Sequence, residues 1–237
     1  MPYFFVKPIY GNIFILNLYK NIRCMKFLLV GITTITLFSA FVFFGNTKPL
    51  LYVKTAFAKP FAEKAIADKE IDHIKSYGEK IKPFVKANNY CEDYCFLIDM
   101  KIPSGKKRFF VYDLIQDTIL HSGLVTHGGG SQTNSDALTF NNIPNGNATS
   151  IGKYKIGNEY IGKFGMAFKL YGLEASNNKA FERYVVLHAH SCVPTQEVDP
   201  FPICTSLGCP TVSPSFLPLL KKYIDKADKP VLLWIFY

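Results

Sequence analysis

The chain has 237 residues and a formal net charge of +9, with 27 Lys and Arg against 18 Asp and Glu. Six of the basic residues and no acidic residue lie within the first 58 positions, so residues 59–237 carry 21 basic against 18 acidic residues. A nucleic-acid-binding domain concentrates positive charge on its folded surface. This distribution argues against such a surface, and we expect no nucleic-acid partner.

The first predicted element is an export leader over residues 1–58. Three basic residues, the last of them Lys26, directly precede an apolar run from Phe27 to Gly45. This order is typical of export, because Lys and Arg stay on the cytoplasmic side of the membrane. The run is either a cleaved signal peptide or a membrane anchor, and we favour the anchor because no small-x-small cleavage site follows it directly. Translation could also begin at Met25. In either case we expect the domain to work in the cell envelope.

A helix is predicted over residues 60–86, because its apolar residues recur at roughly helical spacing among charged ones. Pro83 is expected to break or kink the end of this helix. The segment 59–90 would then serve as a stalk or as a helix that packs against the following domain.

Five cysteines follow the leader, and an odd number leaves at least one thiol free or paired outside the chain. In an oxidising compartment, the simplest arrangement is two disulfides and one working thiol. Cys91 with Cys95 and Cys192 with Cys204 are the natural local pairs. Cys209 is the cysteine that remains.

Residues 91–237 are predicted to form a single mainly β domain. Short β-type runs alternate there with turn residues, which favours a β-sandwich or a distorted barrel with a few helices. One late helix is predicted over residues 215–226, with Ser213 or Ser215 as its N-cap. The predicted strands are Phe96–Lys101, Arg108–Leu114, Thr118–Val125, Gly152–Gly157, Phe164–Tyr171, Arg183–His190 and Val231–Phe236.

Cys209 and His188 form the strongest candidate site. Cys209 lies in the turn Ser206-Leu207-Gly208-Cys209-Pro210, and His188 ends an apolar strand 21 residues earlier. Cysteine attacks as the thiolate, which a neighbouring imidazole can generate at neutral pH. Gly208 permits a tight turn. The backbone amides of Gly208 and Cys209 are candidate donors to an oxyanion.

These residues resemble a known family. Ser206-x-Gly208-Cys209, with a histidine that ends an apolar strand before it, is similar to the catalytic motif of YkuD-type L,D-transpeptidase domains. The resemblance covers residues 94–237 and points to a divergent branch, the murein L,D-transpeptidase catalytic-domain family. The further blocks that carry it are Arg108–Leu114, Gly123–Ser131, Ser150–Ile156 and Asn177–His188.

The resemblance implies acyl transfer on peptidoglycan stem peptides through a thioester on Cys209. His188 would act as the general base, and no metal or organic cofactor would be needed. The chain departs from the common Ser-His-Gly-Cys motif, since Leu207 replaces the histidine. The substrate contacts of that histidine cannot be carried over, and the choice between transfer and hydrolysis stays open.

Three alternatives therefore stand beside the transpeptidase. The first is a hydrolytic L,D-carboxypeptidase or thiol peptidase that acts on the same substrate. The second is a non-catalytic module that binds the cell wall. The third is a zinc-binding module, in which Cys204, Cys209, His188 and His190 would be the ligands.

Four further residues are candidates for the site. His190 would point to the same face of its strand as His188 and could replace the missing motif histidine. Ser206 could bond near the thiolate or merely cap the turn. His127 begins a glycine-rich loop that could border the cleft, and Tyr154 could line the groove.

Overall fold

The computed structural model describes residues 52–133 and 137–237, with side chains described from residue 68 onward. Residues 1–51, which hold most of the predicted leader, lie outside the described residues. Within the described part of the chain, no helix combines the length and apolar character needed to cross a bilayer. The contacts below all belong to the unit Lys64–Tyr237.

In the described residues, eight strands form one sheet, in the order β3-β2-β1-β8-β4-β5-β6-β7. This confirms the predicted mainly β class, and the sheet is not closed. Seven strands coincide with predicted runs, whereas β7 was not predicted. The strands are β1 Tyr94–Asp99, β2 Phe109–Asp113, β3 Thr118–Gly123, β4 Gly152–Gly162, β5 Gly165–Gly172, β6 Val186–Ala189, β7 Thr211–Val212 and β8 Leu232–Phe236.

Two isolated bridges connect the segment that follows β3 to β7 and to the turn before it. One pairs Val125 with Val212, and the other pairs Gly128 with Ser206. The two distant edges of the sheet are therefore tied together at the turn that carries Cys209.

The helix α1 spans Tyr52–Ala87, and its C-terminal half packs on one side of the sheet. Its buried residues Ile74, Ile81 and Val85 contact side chains of β1, β2 and β8. Burial of each such side chain stabilises the fold by roughly 1.5–3 kcal/mol. The helix continues past Pro83 to Ala87, so the proline does not break the helix, and the alternative of a kink stays a prediction. Ile81 and Val85 are buried on both sides of the proline and hold this turn against the sheet.

Gly78 lies where α1 passes close to β2. A Cβ atom there would be only 2.2 Å from the ring of Tyr112, which is itself fully buried. The absence of a side chain at this position is what lets the helix approach the tyrosine.

The second core lies on the other face of the sheet, beneath α2, Phe216–Lys226. Leu217 and Leu220 of this helix pack there with strand residues such as Phe168. Of the two predicted N-cap residues, Ser213 makes the bond, because its Oγ accepts from the N–H of Phe216 at 3.2 Å.

The cysteines follow the prediction only in part. Cys192 and Cys204 form a disulfide, whereas Cys91, Cys95 and Cys209 are free thiols. The predicted bond between Cys91 and Cys95 is wrong. Cys91 packs in the core beneath α2 and Cys95 packs in the core beneath α1, so the two thiols belong to opposite faces of the sheet.

Candidate active site

The turn that carries Cys209 is shaped by side-chain bonds to the backbone. The Ser206 hydroxyl donates to the Cys209 carbonyl at 2.7 Å and accepts from the Gly208 N–H at 3.1 Å. The Thr126 hydroxyl donates to the same carbonyl at 3.2 Å. These contacts give Ser206 the role of holding the turn.

Gly208 has a φ of +112° and no room for a side chain. A Cβ atom at this position would lie 2.9 Å from the Ala148 carbonyl oxygen and 3.1 Å from Nη2 of Arg183. Glycine is therefore required both by the backbone conformation and by the close approach of these two groups.

The Cys209 thiol is half-buried and faces backbone groups of the segment that leads into β6. Its Sγ accepts from the Val186 N–H at 3.5 Å, and the thiol donates to the Tyr184 carbonyl at 3.7 Å. Burial raises the pKa of this thiol, while the Val186 N–H and the charge of Arg183 lower it. The net shift is upward, so these two groups offset only part of the cost that burial adds to ionisation of the thiol.

Tyr184 brings its carbonyl to the thiol through an unusual conformation. Its φ is +55°, in the left-handed region that bulky residues rarely adopt. Its side chain is 85% exposed at the edge of the cleft. Such conformations persist where the surrounding structure enforces them, and they are frequent at active sites.

Arg183 is a site residue that sequence reasoning missed. Its Nη2 donates to the Ala148 carbonyl at 2.5 Å, and its Nη1 donates to Ser150 Oγ at 3.1 Å and to the Asn141 carbonyl at 3.3 Å. The sequence placed it in the predicted strand 183–190, but β6 begins only at Val186. No sequence signal indicates that its side chain reaches the loop 141–150.

His188 is held by two hydrogen bonds. Its Nδ1 is 3.1 Å from the Ala189 carbonyl, and its Nε2 is 3.0 Å from the Thr211 hydroxyl. A carbonyl only accepts, so we assign the proton to Nδ1 and a lone pair to Nε2, which accepts from Thr211. Burial and the neighbouring His190 lower the pKa of His188, and the Ala189 carbonyl raises it. The net shift is downward, which favours the neutral ring at pH 7.

His188 and Cys209 line one cleft of about 730 Å³. No hydrogen bond joins their side chains in the described structure, and the imidazole Nε2 bonds to Thr211 instead. The register of β6 and β7 pairs His188 with Thr211, and Cys209 lies two residues before Thr211. Thr211 is thus a second residue that the sequence did not single out, since it belongs to the unpredicted strand.

The other candidate residues divide into two groups. His190 and Ser206 line the cleft, and the His190 Nδ1 accepts from the Cys192 N–H at 3.1 Å. His127 and Tyr154 do not line it.

His127 is buried beneath the turn. Its Nδ1 accepts from Nη2 of the buried Arg108 at 3.0 Å, and its carbonyl accepts from the Ser206 N–H at 2.9 Å. Burial and the Arg108 charge lower the pKa of His127 to about 4. This residue therefore supports the turn from below as a neutral ring.

Tyr154 is fully buried in the core, and its hydroxyl donates to the Ser150 carbonyl at 2.6 Å. Burial raises the pKa of Tyr154 to about 12. Its hydroxyl also lies 2.9 Å from Ser150 Oγ, the atom that accepts from Arg183.

The two amides considered as oxyanion donors differ in their availability. The Gly208 N–H donates to Ser206 Oγ. The Cys209 N–H makes no hydrogen bond to any described residue, so this amide is free to bind an oxygen atom of a ligand.

Two large apolar side chains of the cleft lining are exposed. Leu207, which replaces the motif histidine, is 76% exposed. Phe164, in the turn between β4 and β5, is also exposed, and its ring stacks on His188 with the centroids 5.2 Å apart. Lys163 and Glu182 add one charge of each sign to the lining.

The zinc alternative loses one of its ligands, because Cys204 is bonded to Cys192. Within residues 52–133 and 137–237, no three His, Cys, Asp or Glu side chains come together in a way that could hold a metal ion.

A family model described as the L,D-transpeptidase catalytic domain matches residues 68–236. The search of curated proteins finds no match. Among solved structures, the L,D-transpeptidase from Xylanimonas cellulosilytica is 13% identical, with a TM-score of 0.35 over 62% of this chain and 61% of that chain.

Two further solved structures are similar at the same level. The avibactam carbamoyl enzyme of Ldtfm is 12% identical, with a TM-score of 0.37 over 62% of this chain and 49% of that chain. The helical cell shape determining protein Pgp2 from Campylobacter jejuni is 14% identical, with a TM-score of 0.35 and the same two coverages. The chain thus spans between about half and three fifths of the length of these proteins.

Proposed function

The chain belongs to the L,D-transpeptidase catalytic-domain family, and we propose that it catalyses cysteine-dependent acyl transfer on peptidoglycan stem peptides. We further propose that it does so in the cell envelope, where residues 1–58 export the domain or anchor it to the membrane. Residues 91–237 would form the catalytic domain, and residues 59–90 would support it.

The observation that carries this proposal is the setting of Cys209. Its thiol is free, it opens into a cleft, and both the Val186 N–H and the charge of Arg183 favour its ionised form. The unbonded amide of Cys209 can stabilise the oxyanion that forms when a thiolate attacks a carbonyl group. A structural cysteine needs none of these features.

The proposed reaction has two steps. His188 takes the proton of the Cys209 thiol, and the sulfur attacks the carbonyl carbon of the third stem-peptide residue. The bond to the terminal D-Ala breaks, His188 returns the proton to the leaving amine, and a thioester remains on Cys209. An amine of a neighbouring stem then attacks the thioester, forms the new amide and releases the thiol.

The proposal requires His188 to change its hydrogen bond. In the structure the Nε2 lone pair accepts from Thr211, so the ring must turn towards the sulfur, or a water molecule must bridge the two. Hydrogen bonds between catalytic groups often tighten only in the substrate complex. The lowered pKa of His188 keeps the ring neutral and able to accept a proton.

The first test is acylation by a carbapenem, followed by intact-mass measurement. We expect the wild-type protein to gain one carbapenem mass and Cys209→Ala to gain none. Cys95→Ala is the matched control, since Cys95 is a free but fully buried thiol, and it should still form the adduct. An adduct on Cys209→Ala would contradict the assignment of the nucleophile.

The second test concerns the base. We expect His188→Ala to slow acylation by about 10²–10⁴-fold, the usual contribution of a general base. His190→Ala should have a much smaller effect, because the His190 ring accepts from a backbone amide. Equal losses in the two variants would leave His188 without its assigned role.

Muropeptide analysis then separates the alternatives. New crosslinks or exchanged D-amino acids identify transfer, whereas trimmed stems alone identify a hydrolytic carboxypeptidase. Binding to peptidoglycan without any adduct on Cys209 would identify a non-catalytic wall-binding module.

A further inference from the structure

Arg183 is the guanidinium that lines the cleft beside Cys209. All three of its hydrogen-bond acceptors are uncharged, namely two backbone carbonyls and the Ser150 hydroxyl. No carboxylate of the described residues forms an ion pair with it. The positive charge is thus fixed in place without being neutralised by a bonded anion.

The guanidinium is packed directly against the residue that precedes the nucleophile. Its Nη2 would be 3.1 Å from a Cβ atom at Gly208, so it occupies the space that a side chain there would need. The Ala148 carbonyl, which accepts from Nη2, contacts the same position at 2.9 Å. The conformation of the turn and the position of the charge therefore depend on each other.

His188 does not fill this electrostatic role in the structure. Its ring is hydrogen-bonded to Thr211 and Ala189, and its lowered pKa favours the neutral form. A neutral imidazole can accept a proton, but it does not stabilise a neighbouring anion as a fixed cation does.

We propose that Arg183 is a positioning residue that stabilises the Cys209 thiolate by its fixed charge and holds the loop 141–150 against the nucleophile turn. This inference rests on the proposed function, in which the thiolate is the attacking species. It assigns the two halves of thiol activation to different residues: Arg183 favours the anion, and His188 moves the proton.

The other ionisable groups around the thiol come from several elements. Glu182 lies beside Arg183, His188 lies in β6 and His190 follows it, Lys163 lies in the turn between β4 and β5, and Tyr154 lies in β4. Of these, Lys163 is the other permanent cation of the lining, which makes it the natural control for a general effect of positive charge.

The test measures the rate of alkylation of Cys209 by iodoacetamide as a function of pH, with the modified site identified by peptide mapping. This rate follows the thiolate fraction and requires no enzymatic activity. The midpoint of this pH curve reports the pKa of the Cys209 thiol. We expect Arg183→Gln and Arg183→Met to raise this midpoint by on the order of one pH unit, which slows alkylation at pH 7 about tenfold. Lys163→Met should leave the midpoint in place.

Two further variants separate charge from structure. Arg183→Lys retains the positive charge and should restore most of the wild-type midpoint. Ser150→Ala removes one hydrogen bond of Arg183 but not its charge, and should leave the midpoint unchanged. Circular dichroism checks the folding of each variant. If only one of Arg183→Gln and Arg183→Met folds, that variant is sufficient to test the role of the Arg183 charge.

An unchanged midpoint in a folded Arg183→Gln or Arg183→Met protein overturns the inference. A shift in Arg183→Lys as large as in the neutral variants also overturns it, because loss of the fork geometry alone would then explain the effect. The proposed function fails separately, if the wild-type protein forms no carbapenem adduct while its alkylation midpoint still responds to Arg183.

Discussion

Two free thiols of this chain, Cys95 and Cys209, lie in regions of opposite character. Cys95 is fully buried between β1 and α1, where its neighbours are apolar side chains such as Leu97 and Ile81. Cys209 lies beside the edge strand β7, in a turn built from hydroxyl and carbonyl hydrogen bonds. Burial raises the pKa of both thiols, but only Cys209 has an N–H donor and a guanidinium that oppose this effect.

The difference shows that one region of the sheet stabilises the fold while another region provides polar groups around a thiol. The face covered by α1 gains its free energy from apolar burial and leaves its thiol inert. The edge formed by β6 and β7 exposes a cleft and is held by polar groups, and these groups can stabilise charge. Reactivity of a buried cysteine depends on what opposes the cost of ionisation and on access to the sulfur.

The largest expected effect is a difference in alkylation between these two thiols. In the native protein, iodoacetamide should modify Cys209 at least about a thousandfold faster than Cys95, because Cys95 becomes accessible only when the α1 face opens at a cost of several kcal/mol. Peptide mapping of partly alkylated protein measures both rates. Similar rates would mean that the α1 face opens readily and that Cys95 and Cys209 do not differ in accessibility as proposed.

The second effect concerns the α1 face alone. Ile81→Ala should lower the free energy of unfolding by about 2–5 kcal/mol, since it removes a fully buried side chain from the helix-sheet contact. The rate at which Cys209 is alkylated in the folded protein should not change. Denaturant titration gives the stability, and Ile161→Ala is the control, because Ile161 is 77% exposed and its loss should change stability by less than about 0.5 kcal/mol.

The third effect is a pH dependence of the free energy of unfolding, which arises from His127 beneath the turn that carries Cys209. The pKa of His127 in the folded protein is lowered to about 4, so protonation favours the unfolded chain. Its contribution to stability is complete above about pH 6.5, the ordinary histidine pKa, and is lost as the pH falls towards 4. The loss should amount to about 2–3 kcal/mol, and the lowered pKa of His188 adds a change of the same sign.

His127→Asn should flatten this dependence, because an amide oxygen can still accept from Arg108 but cannot be protonated in this range. Thermal unfolding between pH 7 and pH 4 measures the slope. The matched control is His121→Asn, which removes an exposed histidine of β3. A slope that persists in His127→Asn would place the titrating group elsewhere.

Local patterns were sufficient for most of the secondary structure. Among the described elements, seven of the eight strands and the helices α1 and α2 follow from periodicity and turn residues, because these signals lie within each segment. The two-residue strand β7 carries no periodicity, and it exists only because the chain after Cys209 pairs with β6. Pro83 is the opposite case, since a strong local breaker is tolerated where tertiary packing holds the helix.

The cysteine pairs show the same limit. Cys192 and Cys204 close one loop, and their pairing was anticipated correctly. Spacing alone also favoured Cys91 with Cys95, but Cys91 lies before β1 and packs in the core beneath α2, whereas Cys95 of β1 packs in the core beneath α1. The face on which Cys91 would pack could not be known before the sheet and its two helices were in place.

The order of residues along the chain determined the family, the mainly β class and the choice of Cys209 and His188, because a short motif and the alternation of apolar residues are local properties. The tertiary structure alone decided that Arg183 packs against the Gly208 position, that Thr211 bonds to His188, and that His127 and Tyr154 are buried supports. These relations join segments up to several strands apart, and they arise from the pairing of β6 with β7 and the folding of the loop 141–150 over the turn.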